Sequence, residues 1–356
     1  MRATITAVVV SFADPTATVA AVHSLLAQSH APLELLVVDN DPQGAMSRTP
    51  MPGEGSSTSV RIVHPGTNLG YTGAVNLAAQ EAIGEWLFLL NPDATAAGDC
   101  CERLLEAAEA ANVALIGAQV LLPDGRINAG ENPINIAGIS WSGGYGLPRE
   151  HGPARDCATV SGAALMVRRE PFLDVGGLCP YFFMYFDDAD LAWRIRLRDM
   201  RVRYCPEAIV VHHYVFEKGP HKWFYLERNR AWALLSNLQL RTLILLAPVL
   251  LVTEVAVLTR AFREGWLAEK ARAWGSLFEQ FPQLIHWRRT VQVTRVVSDY
   301  QVLKLFVAAI DTDLIGDGPP PWVNRCAERY RRLVLSALRG PLNQTRVRRR
   351  RSRSQP

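Results

Sequence analysis

The strongest constraint on the fold is an alternation across residues 4–122, where unbroken apolar runs end in acids or amides and are separated by stretches of helical spacing. The runs are "TITAVVVSF" (4–12), "LELLVVDND" (33–41), "VRIVHPG" (60–66), "EWLFLLNPDA" (85–94) and "ALIGAQVLL" (114–122). Short apolar runs bounded by turn-forming residues read as buried strands. Between them, "DPTATVAAVHSLLAQSH" (14–30) has helical spacing, with Asp14 or Thr16 as cap and Pro15 in the first turn. "NLGYTGAVNLAAQEAIG" (68–84) and "DCCERLLEAAEAANV" (99–113) read as further helices. Strands apolar on both faces, alternating with helices, predict an α/β fold: a mixed, parallel-rich sheet flanked by helices on both sides.

Such a sheet binds ligands beyond the carboxyl ends of its strands. Asp39, Asn40, Asn68 and Asp93 stand at those ends or in the loops just after them. Several polar side chains converging on one edge favour a site over isolated caps and turns. The chain lacks GxxxxGK[ST], GxGxxG and GxSxG, which argues against a P-loop NTPase, a dinucleotide-binding Rossmann domain and an α/β-hydrolase.

Residues 123–160 are rich in Gly, Pro and Asn and read as an extended surface segment. "TVSGAALMVRREPFLDVGG" (159–177) restores a strand and a short helix stopped at Gly176–Gly177. Then comes "PYFFMYFDDADLAWRIR" (180–196), where aromatics lead into Asp187, Asp188 and Asp190 at the start of a helix. Carboxylates beside so much apolar surface must be paired, hydrogen-bonded or functional. "VRYCPEAIVVHHYVF" (202–216) reads as a last strand. His212 and His213 are adjacent on it, so only one can face a site.

A hydrophobic fraction of 49% with 20% charged residues describes a folded chain. The six cysteines form no CxxC and no zinc-spaced cluster, so they read as reduced, buried thiols of a cytosolic protein. The N-terminal run is too short and too soon interrupted for a signal peptide.

Beyond about residue 235 the character changes. The apolar run 242–259, flanked by Arg241 and Arg260, has about the minimum length of a membrane span. Glu254 within it argues for a buried core helix, and a helix lying in the interface is a third reading, so spanning, buried and interfacial forms all stay open. An amphipathic stretch follows at 261–281. The tail "RVRRRRSRSQP" (346–356) concentrates the net charge of +4 and reads as a solvated end or an anchor to anionic lipid, before nucleic-acid binding. The expected organisation is a catalytic domain (1–235), a helical membrane-associated region (236–340) and a basic disordered tail (341–356), with no nucleic-acid partner.

A nucleotide-diphosphate ligand lying across the strand ends would explain two separate acidic sites. Asp39 would accept a base N–H, and Asp93 would hold Mg²⁺ or Mn²⁺ against the diphosphate. A carboxylate of the second cluster would take a proton from an attacking hydroxyl.

The ordered set "VVVSF", "VVDND", "NLGYTGAVN", "LLNPDA", "SGAALMVRRE", "FFMYFDDADLAWR" and "HHYVF…YLERNR" resembles the inverting family 2 glycosyltransferases of the GT-A fold, in particular their bacterial rhamnosyltransferase-like branch. The resemblance covers about residues 4–235. It implies that Asp39 and Asn40 contact the nucleotide base and that Asn68, Gly70 and Tyr71 shape its pocket. It implies that Asp93 binds the metal, with Asn91 at the first position of the usual DxD and one of His212 and His213 as a further ligand. Asp188 matches the catalytic base, Asp187 is the next candidate, and Asp190 orients the helix by pairing with Arg194. Arg228 or Arg230 of "ERNR" would meet the diphosphate, or else pair with Glu227. Cys179 replaces an Asp of the family pattern.

The implied reaction moves a sugar, with dTDP-L-rhamnose as the donor the branch suggests, to a lipid-linked or cell-surface glycan at the cytoplasmic membrane face. The alternative is a non-catalytic nucleotide-sugar-binding protein of a polysaccharide assembly complex.

Overall fold

The structure, a computed structural model, describes residues 3–53, 55–213, 219, 221–310 and 319–339. They fall into two compact units. The first takes in Met1–Asn132, Ser142–Ile195 and Met200–Phe216 as far as these are described; the second holds Pro133–Trp141, Arg196–Asp199 and the described residues from Glu217 on.

In chain order, the first unit begins with β1 (Ile5–Ser11), α1 (Pro15–Leu26), β2 (Glu34–Asp39), β3 (Ser59–Val63) and α2 (Gly70–Glu81). Next come β4 (Trp86–Leu90), β5 (Ala94–Ala96), α3 (Cys100–Ala108) and β6 (Val113–Leu121). Four short strands follow: β7 (Ile127–Ala129), β8 (Glu131–Asn132), β9 (Arg155–Asp156) and β10 (Thr159–Val160). Last are β11 (Ala164–Arg168), α4 (Arg169–Asp174), α5 (Asp187–Leu197) and β12 (Arg201–His212). Asp14 caps α1, its Oδ1 accepting the Ala17 amide at 3.0 Å, with Pro15 as the first helical residue.

The main sheet runs in the order β3-β2-β1-β4-β11-β6-β12-β5. Its continuous apolar strands are explained by two cores, one on each face. Along β1, Ile5, Ala7 and Val9 enter one core while Val8 and Val10 enter the other. The first core includes Ala21, Leu25 and Leu104 from α1 and α3; the second takes Ala74, Ala78, Leu191 and Ile195 from α2 and α5. Successive side chains point to opposite faces, so a strand covered on both sides must be apolar throughout.

The sheet is mixed. Strands β3, β2, β1 and β4 are parallel, but β11 enters antiparallel between β4 and β6, with Met166 opposite both Phe88 and Ile116. β12 then runs parallel to β6. The carboxyl ends of β2, β4 and β12 and the amino end of β11 therefore share one edge.

The expectation for 123–160 needs correction. This segment carries β7 to β10, and Ile127, Asn128, Ala129, Asn132, Cys157 and Val160 are buried. Its apolar residues are isolated between Gly, Pro and Asn, so no periodicity announces their burial. The last strand ends at His212; residues 214–216 of the stretch read as strand, and the tail 341–356, lie outside the described residues.

The second unit is helical: α6 (His221–Asn237), α7 (Leu240–Arg263), α8 (Leu267–Glu279), α9 (Phe281–Thr294), α10 (Asp299–Leu303) and α11 (Pro321–Leu338). The apolar run read as 242–259 is the 24-residue α7, with a mean hydropathy of 2.2 over its most apolar window. Inside this unit Glu227 and Arg230 of α6, Glu254 of α7 and Lys270 of α8 form a ring of alternating charge. Arg230 meets Glu227 at 2.8 Å and also pairs with Glu254. Lys270 meets Glu254 at 2.8 Å and also pairs with Glu227. Five of the six cysteines are buried, and all six are free thiols.

Candidate active site

The shared edge carries two acidic centres. At the first, the chain leaves β4 through Asn91–Asp93, and β5 pairs with the end of β12 so that Ala94 lies opposite His212. That pairing sets His212 Nε2 3.0 Å from Asp93 Oδ1 and 3.5 Å from Asn91 Nδ2. On its other side His212 Nδ1 lies 3.2 Å from Asn128 Oδ1. A carbonyl oxygen there holds the proton on Nδ1 and turns the Nε2 lone pair toward the carboxylate. In that tautomer two acceptors face each other, an arrangement in which Asp93 and His212 could hold a cation, whereas a protonated ring would donate to the carboxylate directly. No group of three or more His, Cys, Asp or Glu gathers among the described residues, so most of the coordination would come from substrate oxygens and water.

His213 is not part of this pair. Its ring is exposed, and its contribution is the backbone amide, which donates to the Asp93 carbonyl at 2.8 Å. Of the two adjacent histidines only His212 faces the edge, as strand alternation requires.

The second centre is the start of α5. Asp187, Asp188 and Asp190 occupy its first turn, where the helix dipole favours negative charge. Their environments differ sharply. Asp190 is fully buried and pairs with Arg194 Nε at 2.8 Å, while Arg194 Nη1 donates to the Val175 carbonyl at 2.9 Å. That pair locks the helix. Asp188 is half-buried; its Oδ2 accepts the Gly162 amide at 2.8 Å and its Oδ1 the Ala189 amide at 2.7 Å. Burial raises the Asp188 carboxyl above its ordinary range, and these backbone donors offset part of that rise. Asp187 is buried, and burial first, then Asp188 and Asp190, push its carboxyl up to about 8. The pair is thus split: Asp187 holds a proton near neutrality, and Asp188 is the better stabilised carboxylate.

The aromatic run before α5 is bent sharply. Phe183, Tyr185 and Phe186 all have φ between 65° and 67°, the left-handed region that side chains avoid. Strain of this kind persists only where the surroundings fix it. Here α2 does so: the Thr72 amide donates to the Phe183 carbonyl at 3.2 Å, and a Cβ on Gly70 would lie 2.5 Å from the Phe183 ring. Gly70 is therefore required by close packing as well as by its own φ of 68°. Tyr71 reaches the same centre. Its hydroxyl donates to the Gly162 carbonyl at 3.4 Å, and burial, Asp187 and Asp188 raise its pKa well above the ordinary value.

One short segment joins the two centres. The Gly162 amide holds Asp188, and the next residue, Ala163, accepts the Asn91 amide at 2.9 Å through its carbonyl. In the sequence, Ser161–Gly162–Ala163 shows only as the lead into a strand. Asn128 gives no signal at all, because that residue lies in the segment without periodicity.

At the end of β2, Asp39 is fully buried. Its Oδ2 accepts the Met46 and Ser47 amides at 2.9 and 3.3 Å, while Oδ1 has no hydrogen-bond partner among the described residues. An orphaned buried acceptor is costly unless a ligand donor meets it. Asn40, expected at the base, is instead committed to the loop after β3. Its Nδ2 donates to Asn68 Oδ1 at 3.0 Å and the Gly70 carbonyl at 3.2 Å, and its Oδ1 accepts the Leu69 amide at 2.9 Å. Asn68 in turn caps Gly70, its Oδ1 accepting that amide at 2.9 Å. Asn40 and Asn68 thus shape the loop rather than offer free polar groups.

Arg228 and Arg230 belong to the second unit. Arg230, expected at a diphosphate or else paired with Glu227, is held in the buried charge ring with Glu227. Arg228 lies over the rings of Phe224 and Tyr225 at 5.1 and 5.3 Å, with its Nε donating to Asn229 Oδ1 at 3.0 Å.

Comparison with known proteins gives a family for most of the first unit. Residues 6–176 match the family model "Glycosyl transferase family 2". An N-acetylglucosaminyl-diphospho-decaprenol L-rhamnosyltransferase of Mycobacterium tuberculosis is 29% identical over an alignment 227 residues long that covers 55% of this chain and 71% of that protein. The O-antigen biosynthesis protein RfbC of Myxococcus xanthus is 26% identical over an alignment 206 residues long that covers 54% of this chain and 16% of the relative. Among solved structures, GalNAc-T7 with UDP, GalNAc and Mn²⁺ superposes with a TM-score of 0.51 at 14% identity, over 66% of this chain. The chain spans about half of that protein, 48% of its length, and the likeness is one of fold. With the mixed sheet, its acidic edge and the family match together, residues 6–176 form a family 2 glycosyltransferase domain, and the fold is GT-A.

Proposed function

We propose that this glycosyltransferase moves a sugar from a nucleoside-diphosphate donor to a hydroxyl of a lipid-linked or cell-surface glycan precursor, with inversion. The observation that carries the reading is the pairing of two centres through Gly162 and Ala163: Asp188 on one side, Asn91 to Asp93 with His212 on the other. Asp39 Oδ1 is the free buried acceptor for a base N–H. Asp188 takes the proton of the acceptor hydroxyl. The hydroxyl oxygen forms a bond to the anomeric carbon, the bond from that carbon to the diphosphate breaks on the opposite face, and the nucleoside diphosphate leaves with the electron pair. Asp188 fits the base role better than Asp187, because a base must be ionised and Asp188 has the amide donors. Asp187, holding its proton, can donate to an acceptor oxygen. Asp93 and His212 would hold a divalent cation, Mg²⁺ or Mn²⁺, which when bound neutralises charge on the diphosphate.

The rhamnosyltransferase relative makes L-rhamnose the first donor sugar to test, and its polyprenyl-diphosphate substrate makes a lipid-linked glycan the first acceptor. Such an acceptor would place the enzyme at the cytoplasmic membrane surface, in keeping with the apolar α7.

The test is release of nucleoside diphosphate from a panel of nucleotide sugars, with Mg²⁺, Mn²⁺ or EDTA, for the wild type, Asp93→Ala and Asp188→Asn. Cation-dependent turnover of one donor, lost in Asp93→Ala, supports the reading. Binding of a donor without turnover under any condition would favour a non-catalytic role and overturn it.

A further inference from the structure

Helix α7 packs on its own unit with one face only. Thr242, Leu246 and Ala261 are buried in that unit. Leu240, Ile244, Leu251, Val255 and Phe262 are between 64% and 76% exposed. Their spacing of four or seven residues keeps them on one stripe of the helix. Scattered exposed apolar side chains are ordinary, but a stripe along a helix about 36 Å long is an interaction surface. Exposed Arg241 and Arg263 stand near its two ends.

Helix α11 runs antiparallel beside α7. Tyr330 Oη donates to the Leu245 carbonyl at 2.6 Å, and Arg241 Nη2 donates to the Ala337 carbonyl at 3.0 Å. The exposed face of α11 carries Trp322, Arg325, Arg329, Arg332 and Leu333. An apolar stripe bracketed by arginine, beside a second helix whose exposed face is arginine with tryptophan, complements an anionic lipid surface.

The charge ring decides how α7 meets that surface. Glu254 lies midway along α7 and is paired with Arg230 of α6 and Lys270 of α8. A spanning α7 would have to break those pairs or draw charged helices into hydrocarbon. The stripe instead faces away from a helix already anchored by its opposite side.

We infer that the second unit docks on an anionic bilayer with α7 lying in the plane of the interface, its stripe at the acyl boundary and the α11 arginines at the lipid phosphates. This rests on the membrane residence proposed above, and it names the surface and its mode of contact.

The experiment is flotation of the full chain with vesicles of phosphatidylcholine alone or with one-third phosphatidylglycerol, at low and high salt. Wild type should float with the anionic vesicles, be released by salt and be extracted by alkaline carbonate. Leu251→Asp with Val255→Asp should abolish flotation while donor hydrolysis and circular dichroism are unchanged. Arg325→Glu with Arg329→Glu, which leaves the stripe intact, should weaken vesicle binding at least about tenfold. Carbonate resistance would overturn in-plane docking. So would failure of the wild type to float, or a wild-type dimer that Leu251→Asp converts to monomer, since a second copy would then cover the stripe. Donor hydrolysis is read without vesicles, so loss of the transferase reading and loss of the docking inference give different results.

Discussion

The amide of Gly162 donates to Asp188 Oδ2 at 2.8 Å, and a Cβ added to Gly162 would stand 3.3 Å from the Asp188 Cβ. The strand edge therefore fixes the carboxylate, and glycine is the residue that allows the approach. Gly162→Val should displace Asp188 and lower kcat at least about tenfold, while donor affinity changes little. Asp188→Asn, which keeps the shape and removes the base, should lose about 10²- to 10⁴-fold. Steady-state transfer assays beside donor-binding titrations separate the two effects.

Asp187 links the site to stability. Its carboxyl is pushed up to about 8, by burial first and by its acidic neighbours next, from an ordinary value of about 4. The folded chain thus keeps a proton that the unfolded chain gives up. Stability from this group is full below about pH 4 and is lost as pH rises through about 8. Asp187→Asn cannot ionise, so the Tm difference between variant and wild type should grow in the variant's favour from pH 5 to pH 9. A difference that is flat with pH would remove Asp187 as the source.

His212 depends on Asn128 for its orientation, since Nδ1 lies 3.2 Å from the Asn128 Oδ1. Asn128→Ala leaves both proposed ligands in place yet should weaken Mn²⁺ activation about 10- to 100-fold. His212→Ala should have the larger effect, and His213→Ala little. Activity titrated against Mn²⁺ for the three variants checks the order.

The charge ring of the second unit makes a separate prediction. Lys270→Met leaves Glu227 and Glu254 with Arg230 as their remaining partner in the ring and should cost about 3–5 kcal/mol in urea unfolding. Adding Glu227→Gln should recover part of that loss, because one buried carboxylate then no longer needs a cation.

Much of this was legible in the sequence because burial on both faces leaves a signature. The runs at β1, β2, β4 and β6 are apolar but for a few residues such as Thr6 and Gln119, and each strand found there is fully buried. The acids at their ends marked the binding edge for the same reason: polar residues return where the cores stop. The antiparallel entry of β11 was not legible, since "ALMVR" has the same composition whichever way it runs. Asn40 shows a different limit. Its position at a strand end is that of a ligand contact, but its amide is engaged by the loop at 68–70, which lies far along the chain. Arg230 shows the same limit, because its partner Glu254, and Lys270 which shares that carboxylate, come from two later helices.

The reversal of β11 also determines where the chain tolerates being cut or lengthened. Because this strand starts at the catalytic edge, the loop at 161–163 enters the site from the amino side, while the connections leading into β4, β6 and β12 turn at the opposite edge. Ala111 and Asn112, just before β6, are exposed on that far side. New chain ends opened there, or a reporter domain inserted there, would leave every residue of the two acidic centres in place, whereas one added residue between Ser161 and Ala163 would separate Asp188 from Asn91. Permuted and tagged forms of the enzyme can be built on that asymmetry.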